Sequence, residues 1–158
     1  MVIAWKALVS KRFPLFLERE VLFIKILIID GQGGGLGKQL VLAIKPAFLC
    51  AEIIAIGTNS VATNAMLKAG ADNAATGENA VVVGCRQADI IVGPIGIVIA
   101  DSLFGEITPR MAVAAGQSNA KRVLIPVSHC NTFVAGVPGL PVNRLVQDVV
   151  EQLKGMIN

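Results

Sequence analysis

Tyrosine is absent from the 158 residues, and six phenylalanines with one tryptophan bring the aromatics to only 4%. A surface that stacks nucleic-acid bases needs aromatic platforms, so none is expected. Charge is scarce too, at 16% of residues and a net +3. Residues 1–20 hold four basic and two acidic side chains, or +2, and residues 21–158 hold ten and nine, or +1. No basic stripe is left to follow a phosphate backbone, which removes nucleic acid from the expected partners. There is one histidine, and the three cysteines, Cys50, Cys85 and Cys130, stand far apart without a CxxC pair. That pattern lacks metal-ligand spacing, so no metal is predicted, and it reads as ordinary thiols in a reducing compartment. Long apolar runs are missing as well. The longest, Ile90–Ala100, has eleven residues between Asp89 and Asp101; a membrane span needs about 20. Lys6, Lys11 and Arg12 interrupt the apolar stretch that a secretory signal would require. A cytoplasmic protein with no membrane partner is the expectation.

Hydrophobic residues nevertheless make up 54% of the chain. A parallel sheet covered on both faces accounts for this, because its strands are almost continuously apolar. Part of the excess suits a subunit interface, so a homodimer is expected. The buried-strand candidates are 22–30, 51–58, a short one near 73–76, 88–94, 121–127 and a further one at 132–137. Between them lie helix candidates starting at Lys38, over 59–70, 78–87 and 109–119, and an amphipathic one over 142–156. Asn59 or Ser60 and Gly70 supply caps to the second, and Thr108-Pro109 is a strong start for the fourth. Residues 95–105 are ambiguous between helix and strand. Strands alternating with helices predict an α/β fold: a three-layer, Rossmann-like domain with a mostly parallel sheet and right-handed crossovers. No internal repeat or low-complexity linker interrupts it.

Residues 1–20 differ from the rest. They mix Lys, Arg, Pro14 and scattered aromatics without a helical or strand period. We expect an N-terminal extension over 1–20, poorly ordered or foreign to the natural protein, and one nucleotide-binding domain over 21–158.

The stretch Asp30-Gly31-Gln32-Gly33-Gly34-Gly35-Leu36-Gly37-Lys38 joins the first strand to the first helix. Backbone amides and a helix N-terminus converge in such a turn, and glycines let a phosphate come close because no Cβ intrudes. Five glycines in seven residues exceed what a tight turn needs. The strict GxGxxG spacing fails, and the pattern that fits is Gly31-x-x-x-Gly35-x-Gly37. This resembles the turn of short-chain dehydrogenases and so implies NAD(P). Two departures stand against it. Those enzymes move protons with a Tyr-x-x-x-Lys pair, and this chain has no tyrosine. An NAD site also places Asp or Glu at the end of the second strand, to grip the ribose; here that position reads Gly57-Thr58-Asn59-Ser60. The turn is similar to the P-loop of ParA-type ATPases too. Lys38 fits that pattern, but Gly33 replaces the signature lysine and Gln39 the metal-binding hydroxyl.

Ligands of open α/β sheets sit at the carboxyl ends of the strands. The candidate contact residues are therefore Gly31 to Lys38, Thr58, Asn59 and Ser60, with Gly93, Pro94 and Gly96 as a second close-approach loop. Asp101 and Glu106 are acid–base candidates near the cleft. His129 and Cys130 are adjacent on an extended segment and point oppositely, which suits a base and its nucleophile poorly.

The runs DGQGGGLGK, AIGTNSVATNAMLKAGA, ATGENAVVV, ADIIVGPIGIVIADSLFGEITPRMA and LIPVSHCN together resemble a small bacterial family known only as a domain of unknown function, number 3842. The resemblance implies a compact Rossmann-like domain without an established activity, and members that begin near the first strand. It draws attention to Thr58-Asn59, Thr63-Asn64 and Gly77-Glu78-Asn79 as a polar set. Three readings of function stand together: a nucleotide-binding protein with NAD(P) as first ligand, a non-catalytic dimeric sensor of a phosphorylated metabolite, and a degenerate P-loop protein. Enzyme or not stays open at this point.

Overall fold

Strand β1 (Lys25–Asp30) is the centre of the molecule in the computed structural model, which describes residues 23–127, 132–137 and 139–157. Ile26 to Ile29 are fully buried. Alternation along the strand sends Ile26 and Ile28 to one apolar cluster and Leu27 and Ile29 to the other. Each such side chain contributes about 1.5–3 kcal/mol on burial.

Strands β2 (Glu52–Gly57), β3 (Asn73–Thr76), β4 (Ile90–Pro94) and β5 (Lys121–Ile125) complete a five-stranded sheet of order β3-β2-β1-β4-β5. Every neighbouring pair is parallel. The register sets Ile28 opposite Ala55 on one side and Val92 on the other. Helices α1 (Gly35–Ala47), α2 (Ser60–Lys68) and α5 (Val142–Ile157) pack on one face, through Leu40, Val41, Ile44, Met66, Val146, Val149, Val150 and Leu153. The last four lie at the i, i+3, i+4, i+7 spacing of one helical stripe. Helices α3 (Glu78–Gln87) and α4 (Pro109–Gln117) cover the opposite face. The result is a three-layer α/β domain whose chain reverses direction of travel across the sheet between β1 and β4, the switch point of this topology.

Local chemistry explains most boundaries. Asn59 caps α2 by accepting from the Ala62 amide at 3.0 Å, and Thr108 caps α4 by accepting from the Met111 amide at 3.2 Å, with Pro109 at the first helical position. Several elements differ from the sequence reading. Helix α1 starts at Gly35 rather than Lys38, because Gly34 takes the left-handed conformation (φ 68°) and ends the turn early. Strand β5 stops at Ile125, before Pro126, and α4 stops at Gln117. Residues 95–105 form one 3-10 turn (Ile95–Val98) and then a series of tight turns, with Asp101, Leu103 and Phe104 all at positive φ. Residues 132–137 form no strand; the Val137 amide bonds Val134 O and Gly136 has φ 78°, so the segment closes a turn instead of joining a ladder. The N-terminal extension and the segment Ser128–Asn131, with His129 and Cys130, lie outside the described residues.

Candidate functional site

The glycine-rich turn leaves β1 at the switch point and enters α1. Its five glycines divide by what a Cβ would meet. At Gly31 it would stand 2.7 Å from Glu106 Oε2 and 2.8 Å from Thr58 Oγ1. At Gly34 it would stand 2.6 Å from Ala62 Cα, and at Gly37 it would collide with Met66 and lie 2.8 Å from Asp30 Cβ. These three glycines serve the packing of the fold itself. At Gly33 and Gly35 nothing lies within 4 Å, and neither has a positive φ. The fold alone does not require them.

The amides of the turn divide in the same way. Asp30 is 5% exposed, and its carboxylate accepts from the Gly31 amide at 2.8 Å and the Gly37 amide at 2.6 Å. Gly37 is the third residue of α1, so Asp30 acts as a cap from outside the helix. Burial pushes the Asp30 carboxyl above the ordinary range, against the pull of the Gly37 and Gly31 amides; the Glu106 charge adds to the rise. The Gln32 amide bonds Glu106 Oε2 at 2.8 Å, and the Gly34 amide bonds Gly31 O at 2.9 Å. The amides of Gly33, Gly35 and Leu36 have no partner among the described residues. They are the exposed or half-exposed part of the turn, at the positive end of α1. Lys38, one turn into α1, is exposed and makes no ion pair among the described residues.

Glu106 comes from the connection between β4 and α4 and reaches the end of β2. Its Oε2 accepts from Thr58 Oγ1, from Asn59 Nδ2 at 3.0 Å and from the Gln32 amide. Asn59 Nδ2 also donates to Gln32 O at 3.0 Å. Burial alone would raise the Glu106 carboxyl, but the bonds from Thr58, Gln32 and Asn59 outweigh it and hold the group below the usual range. The sequence reading names Glu106 as an acid–base candidate near the cleft; its bonds to Gln32, Thr58 and Asn59 have no signal in the sequence.

The other expected residues fall in three groups. Thr58 and Asn59 join Glu106, whereas Ser60 is an exposed first residue of α2. Gly93 and Pro94 are buried in β4 and Gly96 in the 3-10 turn. Close packing accounts for the glycines: a Cβ at Gly93 would stand 2.5 Å from Ile29 O, and one at Gly96 3.1 Å from Ser102 Oγ. Asp101 is exposed, and its amide bonds Ile107 O at 2.8 Å. Of the polar set, Thr63 Oγ1 lies 2.7 Å from Thr76 Oγ1, and Glu78 takes Thr108 Oγ1 at 2.6 Å and Arg110 at 3.2 Å. Asn64 and Asn79 are exposed.

A groove of about 500 Å³ between α3 and α4, lined by Arg86, Arg110, Gln117 and Asn119 among others, lies away from this crevice. We place the site at the turn because there the free amides and a hydrogen-bonded carboxylate converge. Among the described residues no three His, Cys, Asp or Glu side chains converge on a point, and no helix is long and apolar enough to cross a membrane.

An all-parallel sheet with its switch point beside a glycine-rich strand-to-helix turn defines an α/β protein consistent with the Rossmann-like class. Over residues 25–158, from the first residue of β1, the chain matches the family model described as Domain of unknown function (DUF3842). The chain belongs to that family. No curated protein matches it.

Proposed function

We propose that the protein binds a nucleotide at the carboxyl ends of β1 and β2, with NAD(P) as the first candidate. The observation that carries this reading is the pairing of Gly33 and Gly35, which have open space where a Cβ would stand, with the amides of Gly33, Gly35 and Leu36, which have no partner among the described residues. A phosphate needs both the space and the donors. Lys38 adds a cation one turn further on. A dinucleotide is favoured over a mononucleotide by a second cavity of about 340 Å³ at the carboxyl ends of β4 and β5, lined by Ile95, Pro126, Val127, Phe133 and Leu140. It lies on the far side of the switch point, where the other half of an extended ligand would run. An ATPase of P-loop type is less well supported, since Gln39 offers no hydroxyl for Mg²⁺.

A sensing rather than catalytic role has one observation in its favour: Asp30 through both oxygens and Glu106 through Oε2 are engaged in hydrogen bonds that hold the turn together. Turnover on a substrate panel separates the two roles.

The test is Gly35→Val. Open space at this position leaves the fold room for the side chain, while the branched group covers the amides. Calorimetric titration with NAD⁺ in EDTA should show binding to the wild type and none to the variant, with unchanged circular dichroism. Equal affinity in the two proteins would remove the turn as the phosphate site.

A further inference from the structure

The end of β2 lacks the acid that commonly holds a ribose in this topology, but an acid stands there all the same. Glu106 arrives from the β4–α4 connection and is held at Thr58 and Asn59, the two residues that follow β2. The backbone before it turns through Asp101, Leu103 and Phe104 at φ 61°, 53° and 58° and Gly105 at 85°. Left-handed conformations at bulky residues are unfavourable, so this path is held by its surroundings. Ser102 Oγ donates to Gly96 O at 2.5 Å, and the Asp101 amide bonds Ile107 O, which fix both sides of the turn.

The bonding of the carboxylate is one-sided. All three donors meet Oε2, and Oε1 has no partner among the described residues. An acceptor oxygen with a fixed neighbour, beside the hydroxyl of Thr58, suits the paired hydroxyls of a ribose. The same place is hostile to a second phosphate. Glu106 is in no ion pair among the described residues, and Asp30 adds a second carboxyl nearby. Sites for 2′-phosphorylated dinucleotides supply an arginine at this point. Here Arg110, on the helix that follows Glu106, is paired with Glu78 at 3.2 Å.

We propose that Glu106 sets the specificity of the site: its carboxylate takes the hydroxyls of an unphosphorylated ribose and repels a 2′-phosphate, so that the chain binds NAD and rejects NADP. The inference rests on the nucleotide reading above and adds to it the choice between two ligands that share every other group.

The experiment is calorimetric titration of the full chain with NAD⁺ and with NADP⁺, for the wild type, Glu106→Gln and Glu106→Asp. Glutamine keeps an acceptor oxygen for Thr58, Asn59 and Gln32 but removes the charge; aspartate keeps the charge on a shorter arm. The wild type should prefer NAD⁺ by at least about tenfold, the scale set by one like-charge repulsion. Glu106→Gln should bring the two ligands within about threefold, chiefly by gaining NADP⁺, and Glu106→Asp should keep the wild-type preference. A wild type that binds both equally, or prefers NADP⁺, overturns the assignment and leaves nucleotide binding standing. So does a Glu106→Gln variant that keeps the full preference. Binding of neither ligand to the wild type overturns both readings. Should Glu106→Gln fail to fold, the wild-type ratio and the aspartate variant still decide the matter.

Discussion

At the scale of single residues, Asp30 has the largest structural task. Its buried carboxylate joins the end of β1 to the start of α1 through the Gly31 and Gly37 amides. Asp30→Ala strands both donors away from water, and each unsatisfied group costs about 1–3 kcal/mol. For the two donors together, a loss of about 2–6 kcal/mol, read from the urea midpoint, is the expected outcome. Asp30→Asn carries a second readout. A carboxyl raised in the folded state binds its proton more tightly there than in the unfolded chain. Its stabilising contribution is full below the ordinary aspartate range and is lost as pH rises through the folded value. The stability of the wild type relative to Asp30→Asn should therefore fall with rising pH across that window; a difference that grows would contradict the burial argument. The glycines of the turn were plain in the sequence, but nothing there divides Gly31, Gly34 and Gly37 from Gly33 and Gly35. That division depends on Ala62, Met66 and Glu106, which reach the turn only in three dimensions.

Among the elements, those with a local stop or start signal were legible. Thr108-Pro109 and Asn59 mark the first turns of α4 and α2 because a side chain three residues away satisfies the exposed amide. Thr108→Ala should cost about 0.5–2 kcal/mol, the range for loss of a cap. Thr108→Ser should recover most of it, and equal urea midpoints for the alanine variant and the wild type would count against the cap. The start of α1 was misplaced by three residues because its effective cap, Asp30, stands outside the helix at a spacing no capping rule covers. Residues 95–105 were ambiguous for a related reason. Their apolar run suits either period, while the actual backbone is set by the Ser102–Gly96 and Asp101–Ile107 bonds. The apolar content of 132–137 suggested a strand, but the Val134–Val137 turn takes the backbone groups that a ladder would need.

For the whole molecule, the alternation of apolar strands with helices was enough to give the three layers. The convergence of Glu106 on Gln32 was not, since 74 residues separate them and only the sheet order makes them neighbours. That order also ranks the strands. β1 is bonded on both sides and covered on both faces, whereas β3 and β5 are edges with exposed residues. Amide hydrogen exchange should be slowest in Ile26–Ile29 and fastest, among the strands, in Asn73–Thr76. Comparable rates in β1 and β3 would show that the sheet does not open from its edges. The Glu106 bridge has a consequence for how ligands can be found. Gln32, Thr58 and Asn59 belong to the part of the chain before α3, and Glu106 to the part after β4. The complete set of contacts exists only when both parts are folded together, and an unfolded chain offers none of it. Anything that occupies this crevice is thus coupled to unfolding by mass action, and at a hundred times its dissociation constant it adds about 2.7 kcal/mol of stability. The melting temperature of the protein is in this sense a detector for its own ligand, and it needs no knowledge of what reaction, if any, follows binding.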